Sequence, residues 1–557
     1  MINITNRTKL YAGTFILILA TLFIVLQLYF LSGSQLPGGN YDRYLDKIWA
    51  DQITTTGYIT ANPFPNYPSL LSNANAYGFN IIPALITAIL GDVSGLGSTE
   101  VRLIPITGFI FMASVVLLAH ALYRGRYVDT ILALLLSTFF IYMNLGMAGN
   151  LNRIGLSYSI FFFFLYSFIK MSKSESVAFL FMGNLFLLFY IFIYSSNAIS
   201  IIPFILVLSI FKNPNRMRRK KMLLLTIYVL ISFLYYLIIV VFLQGGINQV
   251  FGIIESRGFS FKWPFSSPGI WPGGSVYSPH YSWIDWFFLV YPFLILGVFL
   301  LFSIASRIRI WKRINSFTIY DQILIAFIVF YAVSILFNSL AGFATAGFDY
   351  IALFGWFVPI LAVYGLDILF VWQPINEDHE FNSQLDSRIE KRKIVLRVRS
   401  LRDTRLVNKV ASIFIVIFLI GLGVIGIFHY GELEPRAGEQ VSSNEIQSSI
   451  WLEGKGVKVT SDLHFLSTYV AIAGSNASHF IPWDADMIQQ EYYKVNFTFM
   501  REYGIDTFIL TAGMEKYYIA NFVGTRTLPN PDLDRLLSAN SSCNYDNGEV
   551  RMYLISQ

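Results

Sequence analysis

Cysteine is almost absent from this chain, since Cys543 is the only one among 557 residues. An intramolecular disulfide and a thiolate metal cluster are therefore excluded. The six histidines are scattered, and no two of them have the spacing of a metal-ligand pair. The sequence also contains no Walker loop and no G-x-S-x-G elbow, and its G-x-G-x-x-G spacing at 421–426 (GLGVIG) lies inside a long apolar run and not between a strand and a helix. These absences argue against an ATP-driven pump and against a standard serine hydrolase.

Charged residues are scarce too, at 13% of the chain, whereas 55% of the residues are hydrophobic and 17% are aromatic. This composition is typical of a polytopic membrane protein. A helix needs about 20 mostly apolar residues to cross the bilayer, and eleven segments are predicted as spans: 10–32, 101–122, 128–146, 155–171, 176–194, 196–211, 222–243, 285–305, 320–341, 350–372 and 409–429. The apolar segment 79–91 is too short for a span and is predicted to be a re-entrant or interfacial helix.

The positive charges follow the predicted topology. If the N-terminus is inside, the inner segments hold 25 of the 40 lysines and arginines and the outer loops before residue 431 hold 6. The positive-inside rule predicts this asymmetry. The net charge of +6 therefore indicates membrane orientation and no nucleic-acid partner. We expect a cytoplasmic N-terminus, with the first loop (33–77), the second large loop (244–284) and the C-terminal region outside.

The character of the chain changes near residue 430. Residues 1–430 are predicted to form a transmembrane domain of about eleven helices, and 431–557 a small extracytoplasmic α/β domain. GVKVTSD and DTFILTA have the pattern of strands, and CNYDNGEVRMYLIS has the pattern of a hairpin around Asn547-Gly548. The predicted fold class is a polytopic α-helical membrane protein with an outward-facing α/β domain.

The first loop carries three carboxylates, Asp42, Asp46 and Asp51, together with the cations Arg43 and Lys47. A carboxylate beside a hydrophobic mouth can act as a general base, hold a divalent metal, or cap a helix. All three roles are open for Asp42, which precedes the amphipathic run RYLDKIWADQI. Asp46 lies near the same helical face, whereas Asp51 lies on the opposite side. Asp46 and Asp51 are interpreted as helix-surface charges.

Several cations lie on the same predicted side. If the substrate is a phosphate-linked lipid, its leaving group needs positive charge nearby. Arg102 opens the second span, Arg153 lies in a short outer loop, and Arg257 and Lys262 lie in the second large loop. Snorkelling to the interface is the alternative for Arg102 and Arg153. Asp349 lies close to the membrane boundary, where it could pair with one of these arginines.

The order of these features resembles the membrane glycosyltransferases of the GT-C superfamily, in their prokaryotic or archaeal form. That group includes protein O-mannosyltransferases, aminoarabinose transferases and oligosaccharyltransferases. DRYLDKIWADQITTTG (42–57), followed by Asn66-Tyr67-Pro68, is similar to the first loop of the family. The ending YDNGEVRMYLI is similar to a hairpin in members with an outward C-terminal domain.

The resemblance implies a hexosyltransferase-type enzyme of the cell envelope. It would move a sugar from a polyprenyl-phosphate-linked donor to a protein or glycan acceptor. Asp42 would be the catalytic residue, as general base or as ligand of a divalent cation (Mg²⁺ or Mn²⁺); no other cofactor is implied. The residues expected to contribute to substrate binding are Arg43, Asp46, Tyr67, Arg102, Arg153, Arg257, Lys262, His280 and Asp349.

The sequence departs from the family pattern in three places. It has no WWDYG motif, which argues against N-linked transfer by the oligosaccharyltransferase route. Asp42-Arg43 replaces the Asp-Glu pair of mannosyltransferases, and Asp349 lies where many members have an arginine. A non-catalytic protein that binds or translocates a lipid-linked glycan is therefore the alternative. A secondary transporter comes third, because the interiors of the spans contain almost no charge.

Overall fold

The computed structural model describes residues 6–32, 41–57, 81–140, 153–173, 176–193, 277–278, 282–311, 318–340, 356–370, 417–429 and 441–461, and parts of 204–234 and 465–555. Its principal helices are α1 (Asn6–Ser32), α2 (Tyr41–Thr56), α3 (Ile81–Ser94), α4 (Ser98–Leu103), α5 (Ile106–Leu122), α6 (Tyr127–Phe140), α7 (Arg153–Lys173), α8 (Val177–Ile193), α9 (Trp283–Trp311), α10 (Ile319–Leu340), α11 (Val358–Phe370), α12 (Ile417–His429), α13 (Ser443–Leu452), α14 (Phe497–Glu502) and α15 (Leu533–Asn540).

The long helices pack into one bundle. Helices α5 and α6 lie at its centre, where they contact α1, α7 and α11, and α11 also packs against α9. One hydrophobic core cluster includes residues from α1 and from α5 to α12. Trp356 lies in the turn that precedes α11. Its ring stacks on the ring of Tyr158, with the centroids 5.8 Å apart, and packs edge-on against Phe111, with the centroids 4.9 Å apart. Aromatic packing of this kind stabilises the bundle interior.

The outer faces of the bundle are apolar as well. On α1, the exposed fractions of Leu10 and Leu17 are both 67%, and Phe181 of α8 is 68% exposed. Apolar side chains on the surface of a helical bundle are favourable where lipid surrounds them. The packing therefore agrees with a bundle whose perimeter faces a bilayer.

The helices agree with the predicted spans in position. Within the described residues, one helical stretch, Ser98–Leu122, is long and apolar enough to cross a membrane. The other apolar helices found in this part of the chain are shorter. The predicted spans 196–211 and 222–243 lie mostly outside the described residues, and every other predicted span overlaps a helix, with parts of 128–146, 350–372 and 409–429 also outside the described residues. The number of eleven spans stays a prediction. The segment predicted at 79–91 is a separate helix, α3, which packs against α2.

Segments with predicted inner cations meet at one end of the bundle. At 1.5 Å per residue, Arg307 lies about 36 Å along α9 from Trp283, more than the roughly 30 Å of hydrocarbon. Tyr123, which precedes the predicted inner turn, donates to the Ile360 carbonyl at 2.6 Å. The Tyr123 ring lies 6.3 Å from the ring of Tyr320. Tyr320 precedes Asp321, which forms an ion pair with Arg307.

The C-terminal region forms a four-stranded sheet in the order β2 (Val459–Thr460), β3 (Thr507–Thr511), β7 (Val550–Leu554), β6 (Ser542–Asp546). Strands β2 and β3 are parallel, and β7 is antiparallel to both β3 and β6. The predicted hairpin is confirmed, because β6 and β7 flank Asn547-Gly548, with Gly548 at φ +86°. The Asn547 amide donates to the Asn444 carbonyl at 2.9 Å, which attaches the turn to α13.

Candidate functional site

Two segments of the membrane domain meet the C-terminal region. Strand β1 (Tyr277–Ser278), from the second large loop, pairs with β4 (Tyr518–Ala520), which also pairs with β5 (Arg526–Thr527). Trp49 of α2 and Ala84 of α3 belong to the same hydrophobic cluster as residues of the C-terminal sheet. The first loop, the second large loop and the C-terminal region therefore lie on one side of the bundle. The side of the membrane on which they lie stays a prediction.

Helix α2 carries the candidate catalytic residue. The helix begins at Tyr41, so Asp42 lies in its first turn and not before the helix, as an N-cap would. A carboxylate in the first turn interacts favourably with the helix dipole. Asp46 lies one turn later, and Arg43 lies between them. The side chains of these three residues lie outside the described part of the chain, so their roles stay predictions.

Asp51 is a helix-surface charge, as predicted, since its side chain is 45% exposed. Its carboxylate also connects two helices. Asp51 Oδ2 accepts a hydrogen bond from Lys47 Nζ at 2.7 Å, one turn earlier on α2. Asp51 Oδ1 accepts a hydrogen bond from Ser98 Oγ, in the first turn of α4. Helix α4 therefore contacts this side of α2 and leaves the Asp51 side chain partly exposed.

Arg102 is the predicted cation that the structure describes in full. It lies in the last turn of α4, four residues after Ser98, and its side chain is 0% exposed. A snorkelling arginine would place its guanidinium in water, so the snorkelling alternative is wrong for Arg102. Arginine stays protonated in proteins, so this side chain brings a permanent positive charge into the buried region beside α2.

The other predicted binding residues are described incompletely or not at all. Arg153 is the first residue of α7, and its side chain is outside the described part. The remaining predicted residues lie outside the described residues altogether: Tyr67, Arg257, Lys262, His280 and Asp349. The structure therefore places α2 beside α4, the helix that carries Arg102, and leaves the contribution of the second loop as a prediction.

The metal prediction concerns Asp42. Within the described side chains, no group of three or more His, Cys, Asp or Glu is arranged to hold a metal ion. Asp51 does not suit a ligand role, because both of its oxygens already accept hydrogen bonds from Lys47 and Ser98. Asp42 and Asp46, one helical turn apart, offer the oxygen ligands that Mg²⁺ and Mn²⁺ prefer.

Trp49 and Asp51 are the site residues that sequence reasoning missed. Trp49 is 1% exposed and is among the largest fully buried side chains. A tryptophan on the apolar side of an amphipathic loop helix could have indicated a docking contact. For Asp51, the lysine four residues earlier was a weak signal for an ion pair.

No protein-family model matches the chain, and no curated protein matches it. Solved structures do match over almost the whole chain. The archaeal oligosaccharyltransferase AglB from Archaeoglobus fulgidus, in complex with an inhibitory peptide and a dolichol-phosphate, aligns with a TM-score of 0.58 at 13% identity, over 99% of this chain and 75% of that one. ArnT from Cupriavidus metallidurans in the apo state aligns with a TM-score of 0.50 at 13% identity, over 98% of both chains.

The chain has the GT-C fold. The resemblance inferred from the first loop is thereby confirmed for the architecture. It covers the bundle and the C-terminal region together, since the alignments span nearly all residues of the chain.

Proposed function

We propose that the chain is an integral-membrane glycosyltransferase, which moves a sugar from a polyprenyl-phosphate-linked donor to an acceptor on the extracytoplasmic face. The observation that supports this most is the alignment of nearly the whole chain with AglB, whose structure contains a dolichol-phosphate. The chain also carries a fully buried guanidinium, Arg102, at the start of the predicted second span, and positive charge stabilises a phosphate leaving group. Asp42 is the candidate base, and it lies on the face of α2 opposite to the one that contacts α4.

The proposed reaction is a displacement at the anomeric carbon of the sugar. Asp42 accepts the proton of the acceptor hydroxyl, and the acceptor oxygen bonds to the anomeric carbon. The bond between that carbon and the phosphate oxygen breaks, and polyprenyl phosphate leaves. Arg102, with Arg153 or Arg257 as further candidates, stabilises the charge that develops on the phosphate. In the alternative role, Asp42 holds Mg²⁺ or Mn²⁺, which would supply additional positive charge at the phosphate.

The comparisons support the substrate classes. The AglB structure contains a dolichol-phosphate and an inhibitory peptide. By analogy, this chain would use a polyprenyl-phosphate carrier and a protein or glycan acceptor. The distribution of 25 inner and 6 outer cations supports a cytoplasmic N-terminus, with the C-terminal region outside.

The decisive experiment replaces Asp42 by asparagine. Membranes that contain each variant are incubated with a panel of polyprenyl-phosphate-linked, radiolabelled hexoses, and label in protein and glycan fractions is counted. Loss of a general base is expected to reduce transfer by about 100- to 10 000-fold. Asp92→Asn is the matched control, because Asp92 is an exposed acid on α3.

Unchanged transfer by Asp42→Asn at normal expression would contradict the catalytic assignment. A mass-spectrometric glycan profile of cells that carry each variant gives a second readout, which does not depend on the choice of hexose. We expect Asp42→Asn to reproduce the profile of a deletion strain and Asp92→Asn to reproduce the wild type.

The second candidate is a non-catalytic protein that binds or translocates a lipid-linked glycan. It is favoured by Asp349, which lies where the resemblance places an arginine in many members. Purified protein that bound a polyprenyl-phosphate sugar with no turnover of any hexose in the panel would support this candidate. Measured transfer would exclude it.

A further inference from the structure

Helix α2 is held on one side by an apolar contact. Trp49 and Ala50 are 1% and 0% exposed, and both belong to the hydrophobic cluster that includes Ile509 and Met552 of the C-terminal sheet. The same cluster contains Ala84 of α3. This contact attaches the middle of α2 to the C-terminal region.

A polar contact holds α2 on the other side. Asp51 accepts hydrogen bonds from Lys47 and from Ser98, so its two carboxylate oxygens connect α2 to α4. The Lys47 and Asp51 side chains are 14% and 45% exposed, which places the contact at the edge of the protein interior. Arg102 lies one turn after Ser98 on the same short helix.

The two contacts fix the rotation of α2 about its own axis. An α-helix turns about 100° per residue, so Trp49 and Asp51 lie about 200° apart around the axis. Position 42 precedes Trp49 by seven residues, or about two turns, and therefore shares the Trp49 face of the helix. A helix anchored on opposite faces cannot rotate without breaking one anchor, so the anchors fix the face of the helix on which position 42 lies.

We propose that Asp51 is a positioning residue, which holds α2 in the rotation and register that the transfer reaction needs. The inference rests on the proposed function, because it assigns Asp51 to the same site. Asp51 acts through Ser98 and Lys47 and not through the substrate. A small displacement of a catalytic group lowers turnover strongly, whereas donor binding is largely retained.

The kinetic test compares Asp51→Ala with Asp51→Asn and Ser98→Ala. Asp51→Ala is expected to lower kcat by about 10- to 100-fold and to change KM for the polyprenyl-phosphate donor by less than about twofold. Asp51→Asn keeps an oxygen that can accept from Ser98, so it should restore most of the activity. Ser98→Ala should reproduce the loss, and the double variant should be no worse than either single variant, because both remove the same bond.

A distance measurement tests the same contact without reference to activity. The one cysteine, Cys543, is exposed and is first replaced by serine. Spin labels are then placed by Thr55→Cys on α2 and Val93→Cys on α3, both exposed positions. We expect one narrow distance distribution in the parent protein, and a broader or shifted one when Asp51→Ala is added.

The outcomes separate the two proposals. If the parent transfers no sugar, the proposed function fails, and the distance distribution alone decides whether Asp51 holds α2. If Asp51→Ala leaves both kcat and the distribution unchanged, the positioning role is wrong. If the distribution broadens while kcat is unchanged, Asp51 stabilises the structure only, and the proposal is again overturned.

Discussion

A buried ion pair at the end of the bundle opposite the candidate site gives the sharpest stability prediction. Arg307 of α9 and Asp321 of α10 are 2% and 0% exposed, and they make two parallel bonds, Nε to Oδ1 at 2.7 Å and Nη2 to Oδ2 at 2.5 Å. Arg307 Nη1 also donates to the Tyr364 hydroxyl of α11 at 2.8 Å. The Thr318 hydroxyl donates to Asp321 Oδ2 at 2.7 Å. The network therefore joins three helices.

The expected loss of stability depends on which charged side chain each variant leaves buried without its partner. Asp321→Leu leaves a buried guanidinium without its carboxylate, and breaking a buried pair in this way costs about 3–5 kcal/mol. Arg307→Leu leaves a buried carboxylate, with a similar cost. The double variant leaves neither charge, and apolar replacement of a whole buried pair is often neutral or stabilising. We therefore expect the double variant to be more stable than either single variant.

The measurement is the apparent melting temperature of the purified protein in detergent, with unfolding in denaturant as a second scale. Both single variants should melt well below the wild type, and the double variant should recover most of the loss. A double variant whose destabilisation equals the sum of the single effects would refute this reasoning, because it would show that the two side chains stabilise the bundle independently. Single variants within about 1 kcal/mol of wild type would refute it as well.

Two further predictions concern packing and pH. Gly423→Ala should lower the melting temperature, because an added Cβ would lie 2.6 Å from the Phe139 Cβ. Gly421→Ala is the control, since Gly421 lies in the same helix with open space around it, and it should leave the melting temperature unchanged. Equal effects of the two substitutions would contradict the packing argument. On β7, burial, followed by the hydrogen bond to Asp534, raises the pKa of Tyr553 to about 12. Because this pKa lies above the ordinary value of 10.0, the neutral phenol stabilises the fold below pH 10, and that stability is lost as pH rises toward 12. Thermal unfolding of Tyr553→Phe should lack this alkaline loss, and an identical pH profile for variant and wild type would exclude the assignment.

Local and periodic signals explain what the sequence could predict. Long apolar runs mark the helices of the bundle, because each run must satisfy its own backbone hydrogen bonds. The Asn547-Gly548 pair marks the hairpin, since the turn needs a residue with positive φ. The charge asymmetry predicted one side for both large loops and the C-terminal region, and their contacts agree.

The contacts between distant elements could not be predicted in this way. Arg307 and Asp321 are 14 residues apart on consecutive helices. Arg307 was one of the 25 cations counted as inner under the positive-inside rule, and Asp321 had no predicted role. Asp51 was assigned correctly to the face opposite Asp42, but periodicity does not show whether that face meets solvent or another helix. Only the packing of α4 against α2 shows that Asp51 has a partner on another helix.

The candidate catalytic helix depends on the C-terminal region for its stability. Helix α2 has 16 residues and a mostly polar sequence, and a helix of about this length is marginal in water by itself. Its fully buried residues, Trp49 and Ala50, belong to the cluster of the C-terminal sheet, and among the described side chains of α2 none belongs to the core cluster of the bundle. Helix α2 therefore takes its apolar packing from the C-terminal region, although the chain places it directly after the first span. The face of α2 on which position 42 lies is thus set by two contacts that are distant in sequence, one with the C-terminal sheet and one with α4.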